Sequence, residues 1–203
     1  MLWGGHSGGL ELRRESGGSV ALRGRFPYGK AAVLSDGGRT GRPRKERIGP
    51  RAFRYRVERE DEDIHLLVGH SYDRPLASRG AGTLRLHDSD ESLAFEAFLS
   101  ADMQEVSYVR DFLAGFSAGL IMGLSPGFRI PPERVAPNAE TVEEEDPAEG
   151  MAIIRTVNEA LLYELSVVTR PAYPEAQVEA RAWSPGLEGP DAGLVRAINR
   201  WRP

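Results

Sequence analysis

The sequence contains no cysteine. That single absence removes disulfides, thiolate metal ligands and a catalytic thiol. It has no uninterrupted apolar run of about 18 residues, so no segment reads as a membrane-spanning helix. The opening stretch, MLWGGHSGGL, has neither a basic n-region nor an apolar h-region, and no secretory signal peptide is expected there. Histidine is scarce: the 4 present are His6, His65, His70 and His87, and none lies further along the chain. Neither sign of charge dominates, since 26 Lys+Arg stand against 30 Asp+Glu for a net −4, which gives no general attraction to nucleic acid. These absences fit the bacterial cytosol or the inside of a particle, with no cofactor or metal expected.

The charge that is present is clustered. Residues 42–59 hold Arg42, Arg44, Lys45, Arg47, Arg51, Arg54, Arg56 and Arg59, and residues 140–149 hold Glu140, Glu143, Glu144, Glu145, Asp146 and Glu149. Each run reads as a solvated face or loop, or as a docking surface for a partner of opposite charge.

Residues 1–18 are Gly-rich and read as a loose arm with one short strand at 10–14. From Ser19 the chain reads as short strands broken by Gly and Pro, at 20–26, 31–34, 53–57, 64–70, 82–87 and 93–100. The last has Leu93, Phe95, Ala97 and Leu99 in alternation, the pattern of a half-buried strand. A helix follows, with Asp102 as its cap and Glu105 completing a capping box. Val106, Val109, Leu113 and Phe116 make its apolar stripe. Further strands are expected at 120–129, 152–157, 160–169 and 177–183, an acidic Pro-rich loop at 131–150, and a short C-terminal helix within 184–203. Many short strands, one main helix and no βαβ alternation predict an α+β, mostly β chain: a closed or nearly closed β-barrel with surrounding helices at 19–183.

Gly123-Leu124-Ser125-Pro126-Gly127 fits G-x-S-x-G. In an α/β-hydrolase that serine sits between a strand and a helix, and its histidine follows it in the chain. Here the prolines of FRIPPERVAP prevent an immediate helix, and every histidine precedes Ser125. A small-molecule esterase of that type is therefore disfavoured. Ser125 still needs a base to take its proton. His70 stands at the end of the apolar row Ile64, Leu66, Val68, assuming regular alternation, while His65 faces the other way. Glu164 is the only charge in the apolar segment ALLYELSVVT. A buried carboxylate needs a partner, either a structural arginine or an imidazole that becomes cationic.

Five segments in order, LRGRFPYGKAAV (22–33), ERIGPRAF (46–53), LLVGHSYDRPLAS (66–78), GLSPGFRI (123–130) and ELSVVTRPAYPEAQVEAR (164–181), resemble the prohead (capsid maturation) protease family of tailed phages and gene transfer agents. That family is distantly similar in fold to herpesvirus assemblin. The resemblance implies a serine endopeptidase on a helix-ringed barrel, with His70, Ser125 and Glu164 as catalytic residues. It also implies an oxyanion site at the backbone of Thr169 and Arg170. Pro126 has no N–H to offer. One departure is Gly69-His70-Ser71, where an Asn before the histidine and an Asp after it are more usual. The implied partners are the scaffold segment of the major capsid protein, other interior capsid proteins and the protease itself, by self-cleavage or as a dimer, with no nucleic acid or membrane. The implied location is the assembling prohead in the bacterial host cytoplasm. A catalytically inactive interior scaffold or assembly factor on the same fold is the alternative.

Overall fold

The computed structural model describes residues 10–14, 18–39, 41–121, 123–169 and 171. The expected strand at 177–183, the C-terminal helix, Arg170 and most of the N-terminal arm lie outside them. In chain order the elements are β1 (Glu11–Arg14), β2 (Val20–Pro27), β3 (Ala31–Ser35), β4 (Arg44–Ile48), α1 (Arg54–Val57), β5 (His65–Val68), β6 (Ser71–Ser78), β7 (Leu84–Asp88), β8 (Ser92–Leu99), α2 (Ala101–Gln104), α3 (Ser107–Ser117), β9 (Gly123–Arg129), β10 (Glu140–Glu144), β11 (Ile153–Val157) and β12 (Leu161–Val168).

The mostly-β expectation holds, but the closed barrel does not. The strands form three separate four-stranded sheets, ordered β1-β2-β8-β7, β10-β11-β4-β3 and β6-β5-β12-β9. Among the described residues no ladder joins one sheet to the next, so each keeps two edge strands, whereas a barrel has none. Side-chain packing does the joining. Phe26 of β2, Phe53 ahead of α1 and Phe128 of β9 stack in sequence, with ring centroids 6.3 and 5.6 Å apart.

One apolar core underlies the first and third sheets and takes in Ala32, Ile48 and Val157 of the second. Leu93, Phe95, Ala97 and Leu99 of β8 all point into it, and they pair antiparallel with the inward row of β2, as in Leu22↔Ala97 and Phe26↔Leu93. From the third sheet Leu66, Leu124, Leu162, Leu165 and Val167 face them. Val109, Phe112 and Phe116 of α3 complete the enclosure.

The expected single helix is two. Ser100, not Asp102, caps α2, its Oγ accepting from the Met103 N–H at 3.2 Å. Val106 is extended, with φ −67° and ψ 133°, and separates α2 from α3. The expected strand at 53–57 is instead the short α1.

The second sheet gathers the two charge runs. The middle of the acidic segment, expected as loop, is β10, and it pairs antiparallel with β11, which lies parallel to β4 in the basic run. Arg42 reaches Glu144 at 2.9 Å and Arg47 reaches Glu143 at 3.6 Å. Lys45 pairs with Glu145, and Arg155 with Glu46 and Glu140. The partner of opposite charge is largely the chain itself.

Candidate active site

The third sheet builds the site. Its strand β12 is central, between β5 and β9, as its apolar character on both faces suggests. Leu162 and Leu165 both enter the core, although they are three apart and regular alternation would send them to opposite faces. The register explains this. Leu162 pairs with Phe128 and Glu164 with Gly127, so one extra residue of β12, Tyr163, is accommodated as a bulge. Such a bulge re-aims the side chains that follow it. Beyond it Leu165 and Val167 face the core, while Glu164 and Ser166 share the opposite face.

Register places Ser125 on that same face. Ser125 of β9 lies directly across from Ser166, and Gly127 across from Glu164. Cross-strand partners hold their Cβ positions about 4.5–5.5 Å apart. Ser125 is 8% exposed and Glu164 4%. The two glycines of G-x-S-x-G have separate reasons here. A Cβ on Gly127 would lie 1.9 Å from Glu164 Oε1, and one on Gly123 would lie 2.5 Å from Pro171 Cδ. Each leaves room for a group lying over the site face on either side of Ser125. The motif is a feature of strand packing, not a strand-to-helix elbow.

His70 arrives by a route that alternation does not anticipate. β5 stops at Val68, which pairs with Ser71 of β6. Gly69 and His70 form the two-residue connection, with φ of +62° and +59°. Positive φ at both central positions is the signature of a type I′ hairpin. Gly and Asn both tolerate this region, which accounts for a Gly in place of the Asn that the resemblance leads one to expect. A left-handed non-Gly residue costs on the order of 1–3 kcal/mol and persists only where its surroundings over-determine it. Those surroundings are visible. The His70 N–H donates to Ser166 Oγ at 2.9 Å, and the imidazole Nδ1 lies 2.7 Å from Glu164 Oε1. The turn carries His70 off the core row assigned to it by alternation and onto the face of Glu164.

His65, by contrast, is the histidine directly across from Glu164 in the parallel β5–β12 ladder. Its ring serves other partners, with Nε2 3.5 Å from Asp63 Oδ2 and the Tyr72 ring 5.8 Å away. A groove of about 550 Å³ runs beside it, lined by Tyr72, Pro75, Leu76, Phe98 and Met103.

Glu164 has a second contact. Its Oε2 accepts from Ser166 Oγ at 2.6 Å. With the Nδ1–H donating to Oε1, the carboxylate is satisfied at both oxygens and Nε2 is left free to accept a proton. The half-exposed imidazole has a side-chain exposure of 47% against 6% for the carboxylate, so one end of the pair is reachable and the other is anchored. Among the described residues no hydrogen bond joins Ser125 Oγ to His70. Thr169 is exposed at the bend just past β12, beyond the Val168↔Gly123 pair.

Sequence reasoning missed Ser166. Read alone, a serine in a strand is unremarkable, and only the i, i+2 spacing Glu164-x-Ser166 hinted at a shared face. It also missed the Gly69-His70 hairpin, because the polar start of β6 hid its apolar residues.

A family model described as caudovirus prohead serine protease matches residues 33–186. No curated protein and no solved structure matches the chain, so the likeness to assemblin has no support among solved structures.

Proposed function

The chain belongs to the caudovirus prohead serine protease family, and on that premise we propose that Ser125 is its nucleophile, His70 the general base and Glu164 the carboxylate that orients the base. His70 Nε2 takes the proton of Ser125 Oγ–H as Oγ bonds to a peptide carbonyl carbon. His70 then returns that proton to the leaving amine as the C–N bond breaks, and water repeats the sequence on the acyl-enzyme. Glu164 fixes the Nδ1–H tautomer and stabilises the imidazolium that forms in each half-reaction. The developing oxyanion is assigned to the backbone N–H groups of Thr169 and Arg170. The observation that carries this reading is the 2.7 Å contact between His70 Nδ1 and Glu164 Oε1, on the sheet face that also holds Ser125. Free enzymes often hold the nucleophile–base contact long and close it on substrate, in keeping with the lack of a Ser125–His70 hydrogen bond among the described residues.

The family places the activity in capsid maturation, inside the assembling capsid. The substrates assigned here are the scaffold segment of the major capsid protein, other interior proteins and the chain itself. The catalytic domain is residues 19–183, with 1–18 and 184–203 as appended segments.

A fluorophosphonate probe tests the site directly. Labelling is expected in the unmodified protein and absent in Ser125→Ala. It is expected to fall by a factor of about 10³ or more in His70→Ala, by analogy with removal of the base from other serine nucleophiles. Labelling that survives in Ser125→Ala overturns the nucleophile assignment. A protein that never labels, even with capsid protein present, favours the inactive scaffold.

A further inference from the structure

Ser166 is fully buried, and its hydroxyl bonds both members of the His70–Glu164 pair. It accepts from the His70 backbone N–H at 2.9 Å and donates to Glu164 Oε2 at 2.6 Å. Together with the contact of Nδ1 to Glu164 Oε1 at 2.7 Å, these bonds close a ring. The ring runs from the His70 main chain through Ser166 to Glu164, and back to the His70 imidazole.

We propose that Ser166 is a positioning residue that locks His70 and Glu164 into one arrangement before substrate arrives. The inference rests on the assignment of His70 as base, and adds a third group acting through the other two. The physical reasons are three. A carboxylate has two oxygens and can rotate, so one bond to an imidazole leaves it free to swing; the Ser166 O–H removes that freedom. His70 sits at φ +59°, and a buried acceptor for its N–H offsets the cost of that conformation. The ladder also fixes Ser166 opposite Ser125, so one strand position ties the geometry of the base to that of the nucleophile. A carboxylate bonded on both oxygens by charge-assisted donors is well held. Misplacing a catalytic group by about an ångström costs on the order of 10²-fold in rate.

The test uses the full-length protein, with Ser166→Ala and Ser166→Thr. In the unmodified protein the Nδ1–H of His70 is expected to give a downfield proton resonance protected from exchange, assigned by its loss in Glu164→Gln. In Ser166→Ala it is expected to broaden or vanish, and the second-order rate of fluorophosphonate labelling to fall by about 10–100-fold. Ser166→Thr, which keeps the hydroxyl, is expected to recover the resonance and most of the labelling rate. Thermal unfolding of each variant checks that it is folded. If Thr does not fold in place of Ser, Ser166→Cys takes its role, with a weaker donor and an intermediate resonance. A resonance as sharp in Ser166→Ala as in the unmodified protein overturns the proposal, even if labelling falls, because a loss of packing alone leaves the Nδ1–H bond in place. No such resonance in the unmodified protein also overturns it. The resonance is read without turnover. A protein that shows it but never labels leaves the lock standing and defeats the catalytic reading instead.

Discussion

Gly127 shows how closely the residues of the site constrain one another. Its missing Cβ is the space that Glu164 Oε1 occupies. Replacing it with alanine must displace the carboxylate, since a 1.9 Å approach is impossible between these atoms. Gly127→Ala is therefore expected to lower the fluorophosphonate labelling rate by about 10²-fold, as for a displaced catalytic group, with the protein still folded by circular dichroism. An unchanged rate would mean that Glu164 is not required where it stands. At this scale the sequence offers Ser125, His70 and Glu164 as candidates, from chain order, scarcity and a lone charge in an apolar strand. The structure brings His70 and Glu164 into contact and sets Ser125 on their face. The reason His70 reaches Glu164 was not legible, because period-2 alternation carries no information about a turn. Gly69 and His70 had to be seen as a hairpin before the parity of His70 could be placed.

Among the elements, legibility followed amphipathicity. β8 alternates cleanly, and its burial pattern repeats the alternation. β4 and β10 are Arg-Lys-Glu-Arg-Ile and Glu-Thr-Val-Glu-Glu. β4 sends only Ile48 into the core and β10 is exposed along its whole length, with ion pairs crossing between the two runs, so propensity and periodicity read them as solvated runs. The break between α2 and α3 was equally hidden, since the capping signals at Asp102 and Glu105 run directly into the apolar stripe that begins at Val106. The ion pairs give the second sheet a pH signature. Its hydrogen bond to Arg42 holds the Glu144 carboxyl below its ordinary range, and that to Lys45 does the same for Glu145. A carboxyl whose folded value is depressed stabilises the folded state above its unfolded value, and that contribution is lost as pH falls through the folded value. Amide protection factors in β10 are thus expected to be full at neutral pH and to decline below about pH 4.5, the ordinary glutamate value, while those in β8 persist. Parallel loss in both strands would show that the second sheet is not separately held.

On the scale of the whole molecule, the expectation of a barrel failed for a reason of connectivity. Strand content and strand length constrain how much sheet there is, not which edges meet. Four-stranded sheets with free edges and a barrel can share the same local patterns. The described sheets are tied by apolar packing, and the Phe26–Phe53–Phe128 stack spans the first and third. Phe53, wholly buried at that joint, is expected to cost about 3–5 kcal/mol when replaced by alanine. Chemical denaturation reads that value, and a loss under about 1 kcal/mol would remove Phe53 as the link between sheets.

The central claim, that Ser125 acts with His70 and Glu164 as a capsid maturation protease, meets its most direct test in cleavage of the capsid protein. Co-expression of the major capsid protein with the unmodified protease, followed by intact-mass measurement, is predicted to show the scaffold segment removed. With Ser125→Ala the capsid protein is predicted to keep its full mass. Normal processing by Ser125→Ala would contradict the account.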